Sequence, residues 1–102
     1  FTAFSQAHST TASATRADPH TVALMNPMGY IGRVTNPQHW RIRVGTADRD
    51  TSLAIAALLE AKLQNTGKHV DFALPWDVPH SGDYDLDALF AWMKQVAQPR
   101  QP

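Results

Sequence analysis

Cysteine is absent from the 102 residues, which excludes structural disulfides, thiolate nucleophiles and cysteine-based zinc sites together. It leaves the compartment open, because secreted and cytosolic proteins can both lack cysteine. Net charge is absent as well: nine basic side chains stand against nine acidic ones. The basic residues are dispersed, so no long-range field gathers a polyanion or an anionic lipid surface, and neither nucleic acid nor membrane is an expected partner. No apolar run approaches the roughly 20 residues that cross a bilayer. The chain opens at Phe1 without a basic-then-apolar leader pattern, so the expectation is that the true N-terminus lies upstream or has been processed away.

What is present is ordinary globular composition, 43% hydrophobic and 18% charged, enough for one domain at most. At this size, burial only just exceeds the entropy cost of ordering the chain, and marginal independent stability is expected. Residues 1–18 are rich in Ser, Thr and Ala with only Phe1 and Phe4 as large apolar side chains, and read as a loop or disordered connection. From Pro19, the run Thr21 to Met25 can start a short helix that Asn26-Pro27 and Gly29 punctuate.

Two strand-helix pairs follow. Trp40-Arg41-Ile42-Arg43-Val44 alternates with period two and stops at Gly45, as a strand with one buried face does. Asp50, Thr51 and Ser52 offer N-cap oxygens to a helix running to about Asn65, with Leu53, Ala57, Leu58 and Ala61 at helical spacing and Gly67 suited to the left-handed C-cap. Val70-Asp71-Phe72-Ala73-Leu74 alternates again and Pro75 ends it. Asp85 can then cap a helix whose stripe is Leu86, Leu89, Phe90, Met93 and Val96. Strand, helix, strand with such connections predicts parallel neighbours, yet two strands leave a face and an edge uncovered, which points to a missing body of protein.

Ligands of open α/β sheets sit beyond the carboxyl ends of the strands. That rule selects two loops rich in ionisable groups, Gly45 to Asp50 and Pro75 to Asp85. If the strands are parallel neighbours, Asp48 and His80 can meet. An Asp in a Gly-Thr-x-Asp turn after one strand and a His after the next resembles the end of an α/β-hydrolase, whose triad runs Ser, Asp, His along the chain. The fuller string is narrower: His39 through Ser52, then Asp71-Phe72-Ala73-Leu74-Pro75-Trp76, then Pro79-His80-Ser81-Gly82-Asp83-Tyr84-Asp85. It resembles the bacterial tannase-like esterases, the subtype B tannases among them, and Leu24-Met25-Asn26-Pro27-Met28-Gly29-Tyr30-Ile31 fits the same family, so the likeness covers most of residues 22 to 95.

The resemblance implies an α/β fold: the C-terminal fragment of an α/β-hydrolase, with its last two parallel strands and two flanking helices. Residues 19–97 would be that segment and 98–102 a tail. It implies hydrolysis of a carboxylic ester, tannase-like or feruloyl-like, with Asp48 as triad acid and His80 as triad base. Asp50 would be a substrate-binding carboxylate accepting hydrogen bonds from galloyl hydroxyls. The substrate would be an ester, galloyl or otherwise phenolic, and the other partner the remainder of the hydrolase polypeptide. No Gly-x-Ser-x-Gly occurs, and Ser5, Ser9, Ser13, Ser52 and Ser81 lie in no strand-to-helix elbow. The chain alone is therefore not expected to be active, and the nucleophile would come from a missing segment or another chain.

Plainer readings stand beside these. Asp48 and Asp50 can simply cap the next helix, and a loop histidine such as His80 can be a solvated bystander. His8, His20, His39 and His69 have no comparable setting. His80, Asp83 and Asp85 match no closed tetrahedral spacing, so no metal and no cofactor is expected; Asp83 and Asp85 would turn the loop and cap the last helix. Trp40, Trp76 and Trp92 are expected to fill core or crevice wall. Two other classes of function remain: a catalytically inactive interaction fragment on the same scaffold, and a small standalone metal-dependent hydrolase.

Overall fold

In the computed structural model, which describes residues 3–98, the Pro, Gly and Asn punctuation of the sequence sets the element boundaries. Four α-helices, a short 3-10 turn and two strands follow one another: α1 (Ala3–Ala7), α2 (Pro19–Met25), the turn Pro27–Gly29, β1 (His39–Arg43), α3 (Leu53–Asn65), β2 (His69–Ala73) and α4 (Leu86–Ala97). The chain divides between Thr35 and Asn36 into two compact units. That division falls within the stretch 19–97 that the sequence groups together. None of the helices is long and apolar enough to cross a membrane among the described residues.

The first unit is locally held. Residues 3–7 form one helical turn inside a stretch expected to be loop; Gln6 Nε2 donates to the Ala14 carbonyl at 3.2 Å and the Phe4 and His8 rings stack. Helix α2 begins where Pro19 supplies a pre-set φ at its first position, and Asp18 Oδ2 accepts from the His20 and Thr21 amides. It ends at Asn26-Pro27, since proline cannot continue the amide ladder.

The second unit contains both strands, α3 and α4. Strands β1 and β2 pair in parallel and in step, from His39 beside His69 to Arg43 beside Ala73. Each strand begins and ends one residue earlier than its hydrophobic pattern suggests. Helix α3 joins them and lies against both. Ser52 is its N-cap, accepting from the Ala54 amide. At its other end the Lys68 amide bonds the Leu63 carbonyl and the Gly67 amide the Gln64 carbonyl, with Gly67 at φ +76°. This is the left-handed closure that glycine makes without a steric penalty.

The face α3 buries differs from the expected one. Ala56 and Leu63 are buried, Leu63 completely, whereas Ala57, Leu58 and Ala61 of the expected stripe are exposed. Apolar residues fall on every side of this helix, so spacing could not choose the face; contact with the sheet did. In α4, Leu89, Trp92 and Val96 are half-buried, while Leu86, Phe90 and Met93 of the expected stripe are exposed.

Asp85 occupies the N-cap position of α4, and its carbonyl accepts from the Leu89 amide, but its side chain makes no cap bond. The carboxylate is drawn instead to β1, where Asp85 Oδ2 accepts from Arg41 Nη2 at 2.5 Å and lies 3.6 Å from Arg43 Nε. Asp71 completes the group, accepting from Arg43 Nη2 at 2.7 Å and lying 3.6 Å from Arg41 Nε. A guanidinium is a stronger partner than a backbone amide, which explains the lost cap. The Arg41 side chain is only 8% exposed, so the basic residues of β1 lie on a covered face.

Candidate active site

The parallel pairing puts the carboxyl ends of β1 and β2 side by side, and the loops that leave them are bonded together. The Val44 amide continues the ladder to the Ala73 carbonyl at 3.4 Å. The Thr46 amide then donates to the Pro75 carbonyl at 2.9 Å, and the Ala47 amide to the Val78 carbonyl at 3.1 Å. Thr46 Oγ1 accepts from the Asp77 amide at 2.7 Å. Gly45 is required by this crossing: a Cβ there would stand 2.0 Å from the Val78 carbonyl oxygen. Asp77 adopts φ +57°, the sole left-handed non-glycine residue among those described.

Two side chains meet at the end of this lacing. His80 Nδ1 lies 3.0 Å from Asp48 Oδ2. The other oxygen, Asp48 Oδ1, accepts from the Asp50 and Thr51 amides at 2.7 and 3.0 Å. Asp48 therefore does not cap α3, a task left to Ser52; it organises the turn before the helix while holding the imidazole. The Asp48 side chain is 6% exposed and that of His80 63%. One partner is thus fixed and sheltered, and the other is open to an incoming group.

The electrostatics follow from the contact. The hydrogen bond to His80 holds the Asp48 carboxyl below its ordinary value; desolvation opposes it, and the two backbone amides reinforce it. The same bond, together with the Asp48 charge, raises the His80 imidazole above its ordinary value against the effect of desolvation, and the Asp50 charge adds to the rise. An ionised Asp48 accepts only from Nδ1–H, so the neutral imidazole carries its lone pair on Nε2, the arrangement a general base needs.

Asp50 is exposed and close: ligand-type atoms of Asp48, Asp50 and His80 all lie within 4.8 Å of one another. Among the described residues no other grouping of three or more acidic or imidazole side chains has this closeness. Asp83 accepts from Ser81 Oγ at 2.8 Å and Asp85 is committed to Arg41, so His80, Asp83 and Asp85 form no donor set. Trp76, in the loop between β2 and His80, is 86% exposed, unlike the half-buried Trp40 and Trp92.

Sequence reading missed the Arg41, Arg43, Asp71 and Asp85 group and the Thr46 bond to Asp77. A signal for the first existed. With the strands in step, Arg41 must stand beside Asp71 on one face, and an aspartate inside an otherwise apolar strand calls for such a partner.

No family model and no curated protein matches the chain; solved structures do. A tannin acyl hydrolase in complex with ethyl gallate shares 50% identity over 96% of this chain, with a TM-score of 0.89. The native tannin acyl hydrolase from Lactobacillus plantarum shares 49% over the same span, with a TM-score of 0.87. The tannase of Fusobacterium nucleatum shares 52% over 80% of the chain, with a TM-score of 0.76. Another tannin acyl hydrolase structure holds 3,4-dihydroxybenzoate. The chain is thus of an ester hydrolase family. Within that class it belongs to the tannases, of whose solved chains it spans 21%, 22% and 17% in these three cases.

Proposed function

We propose that the chain is the C-terminal part of an α/β-hydrolase-fold serine esterase acting on galloyl or other phenolic esters, in which Asp48 is the triad acid and His80 the base. Asp50 contacts the phenolic hydroxyls. The serine and the oxyanion-hole donors belong to polypeptide beyond this chain. The observation that carries the reading is the 3.0 Å bond between His80 Nδ1 and a sheltered Asp48 whose second oxygen is held by two amides. The ethyl gallate and 3,4-dihydroxybenzoate held by solved tannases supply the substrate class.

The chemistry follows from the proton positions. His80 Nε2 takes the hydroxyl proton as the serine oxygen attacks the ester carbonyl, and Asp48 stabilises the imidazolium that forms. The imidazolium returns that proton to the departing alcohol, leaving an acyl-enzyme. Water, deprotonated by the same Nε2, then releases the acid and the serine.

The test uses the parent polypeptide, assayed on methyl gallate and on a simple acyl ester. Asp48→Asn and His80→Ala should each lower turnover by roughly 10³- to 10⁴-fold while the protein stays folded. Near-normal turnover in either variant ends the assignment. Asp50→Ala should reduce turnover of the gallate ester far more than of the simple one, and equal losses remove its role in recognition.

A further inference from the structure

We propose that Thr46 is a positioning residue: through its bond to Asp77 it sets the loop that delivers His80 to Asp48. The inference deepens the esterase reading above and rests on it. Asp77 stands three residues before His80 in the left-handed region, at φ +57°. An L side chain enters that region at a steric cost, which aspartate tolerates better than most. Such a conformation persists where its surroundings over-determine it. Thr46 provides that constraint at two points. Its amide donates to the Pro75 carbonyl at 2.9 Å, and its hydroxyl oxygen accepts from the Asp77 amide at 2.7 Å.

The two bonds bracket Trp76 and fix the direction in which the chain leaves β2. The next amide, Ala47, takes the Val78 carbonyl, and two residues beyond Val78 comes the imidazole. On the other side, Thr46 is two residues before Asp48. One threonine therefore couples the turn that holds the acid to the turn that presents the base. Without the hydroxyl, the Asp77 amide loses its partner, the left-handed turn is no longer enforced, and Val78-Pro79-His80 can swing away from Asp48.

The experiment compares Thr46→Val, which keeps shape and loses the hydroxyl, with Thr46→Ser, which keeps the hydroxyl, in the parent polypeptide. Thr46→Val should lower kcat on methyl gallate by about tenfold to a hundredfold, the scale of a small misplacement of a catalytic group. KM should stay within about twofold, since binding contacts are untouched. Its low-field proton resonance from the His80 Nδ1–H should weaken or vanish. Thr46→Ser should retain both turnover and resonance. Adding Asp77→Gly to Thr46→Val should recover most of the turnover, because glycine takes positive φ without constraint.

Normal kcat and an intact resonance in Thr46→Val overturn the proposal, as do equal losses in the valine and serine variants. Where Thr46→Val does not fold, the double variant decides: recovered turnover supports the coupling and persistent loss overturns it. His80→Ala, run alongside, separates the two claims. If it keeps turnover, the esterase reading falls; if it loses turnover while Thr46→Val does not, only the role of Thr46 falls.

Discussion

Asp48 combines two tasks that are usually alternatives, ordering its own turn and holding a histidine. Each oxygen takes one: Oδ1 the amides of Asp50 and Thr51, Oδ2 the imidazole. Splitting them fixes the carboxylate plane, and under the proposed esterase reading little reorganisation is then left for the reaction. The shifted pKa values give a pH test. In the proposed mechanism neutral His80 is the working form, and its pKa is raised, so the acid limb of the kcat/KM profile of the parent polypeptide should lie above the ordinary imidazole range. In Asp48→Asn the residual activity should show that limb at lower pH; an unmoved limb would mean another group titrates. Stability follows the same pair. The folded His80 pKa is raised, so its contribution is complete below the unfolded value and is lost as pH rises through the folded one. The folded Asp48 pKa is lowered, so its contribution is present above the unfolded value and is lost as pH falls through the folded one. The pair therefore stabilises the fold between the lowered carboxyl and the raised imidazole.

At the level of elements, the site depends on how two strand ends are joined. Just past β1 stands Gly45, because the backbone of Val78 crosses over it, and the crossing carries the Ala47 to Val78 bond. Gly45→Ala should destabilise the parent protein by roughly 1–3 kcal/mol, the usual cost of forcing an extra methyl into a packed contact. It should also lower turnover, because backbone rather than a flexible side chain has to give way. Thermal melts with matched kinetics test this, and a variant of unchanged melting temperature and rate would show that the crossing is not constrained. The far end of the same loop is held to β1 by Asp85 on Arg41, and the Asp85 carboxyl is held below its ordinary value first by that bond. The loop bearing His80 is therefore anchored at one end on the turn that follows β1 and at the other on β1 itself.

For the whole molecule, the decisive feature is how little is buried. Ile31, Ala56 and Leu63 are the buried hydrophobics among the described residues, while Ile55, Leu58, Phe90 and Met93 are exposed on the helices of the second unit. A two-stranded sheet with one tightly packed helix is marginal in water, and apolar residues left exposed on that helix, Ile55 and Leu58, suit a position against further protein. The 102-residue chain on its own should bind a hydrophobic dye and melt without a cooperative transition, whereas the parent polypeptide should melt cooperatively. A sharp melt with little dye binding in the isolated chain would contradict this.

The order of strand, helix, strand and helix was legible in the chain, because period-two alternation and cap residues act over a few positions. Ser52 and Gly67 mark real helix ends for local reasons, a side-chain cap and a left-handed backbone, whereas Gly45 answers to the distant backbone of Val78. The likeness to tannases was also legible, since motif strings are linear. Other features were not. The buried face of α3 depends on which side the sheet approaches, and an evenly apolar helix does not encode that. The fate of Asp85 depends on an arginine 44 positions away, and the bond between Thr46 and Asp77 spans 31. Local pattern therefore determined the elements and nominated Asp48 and His80. Only tertiary structure decided which oxygen meets which nitrogen, because strand register and loop crossing are set by contacts between residues distant in the chain.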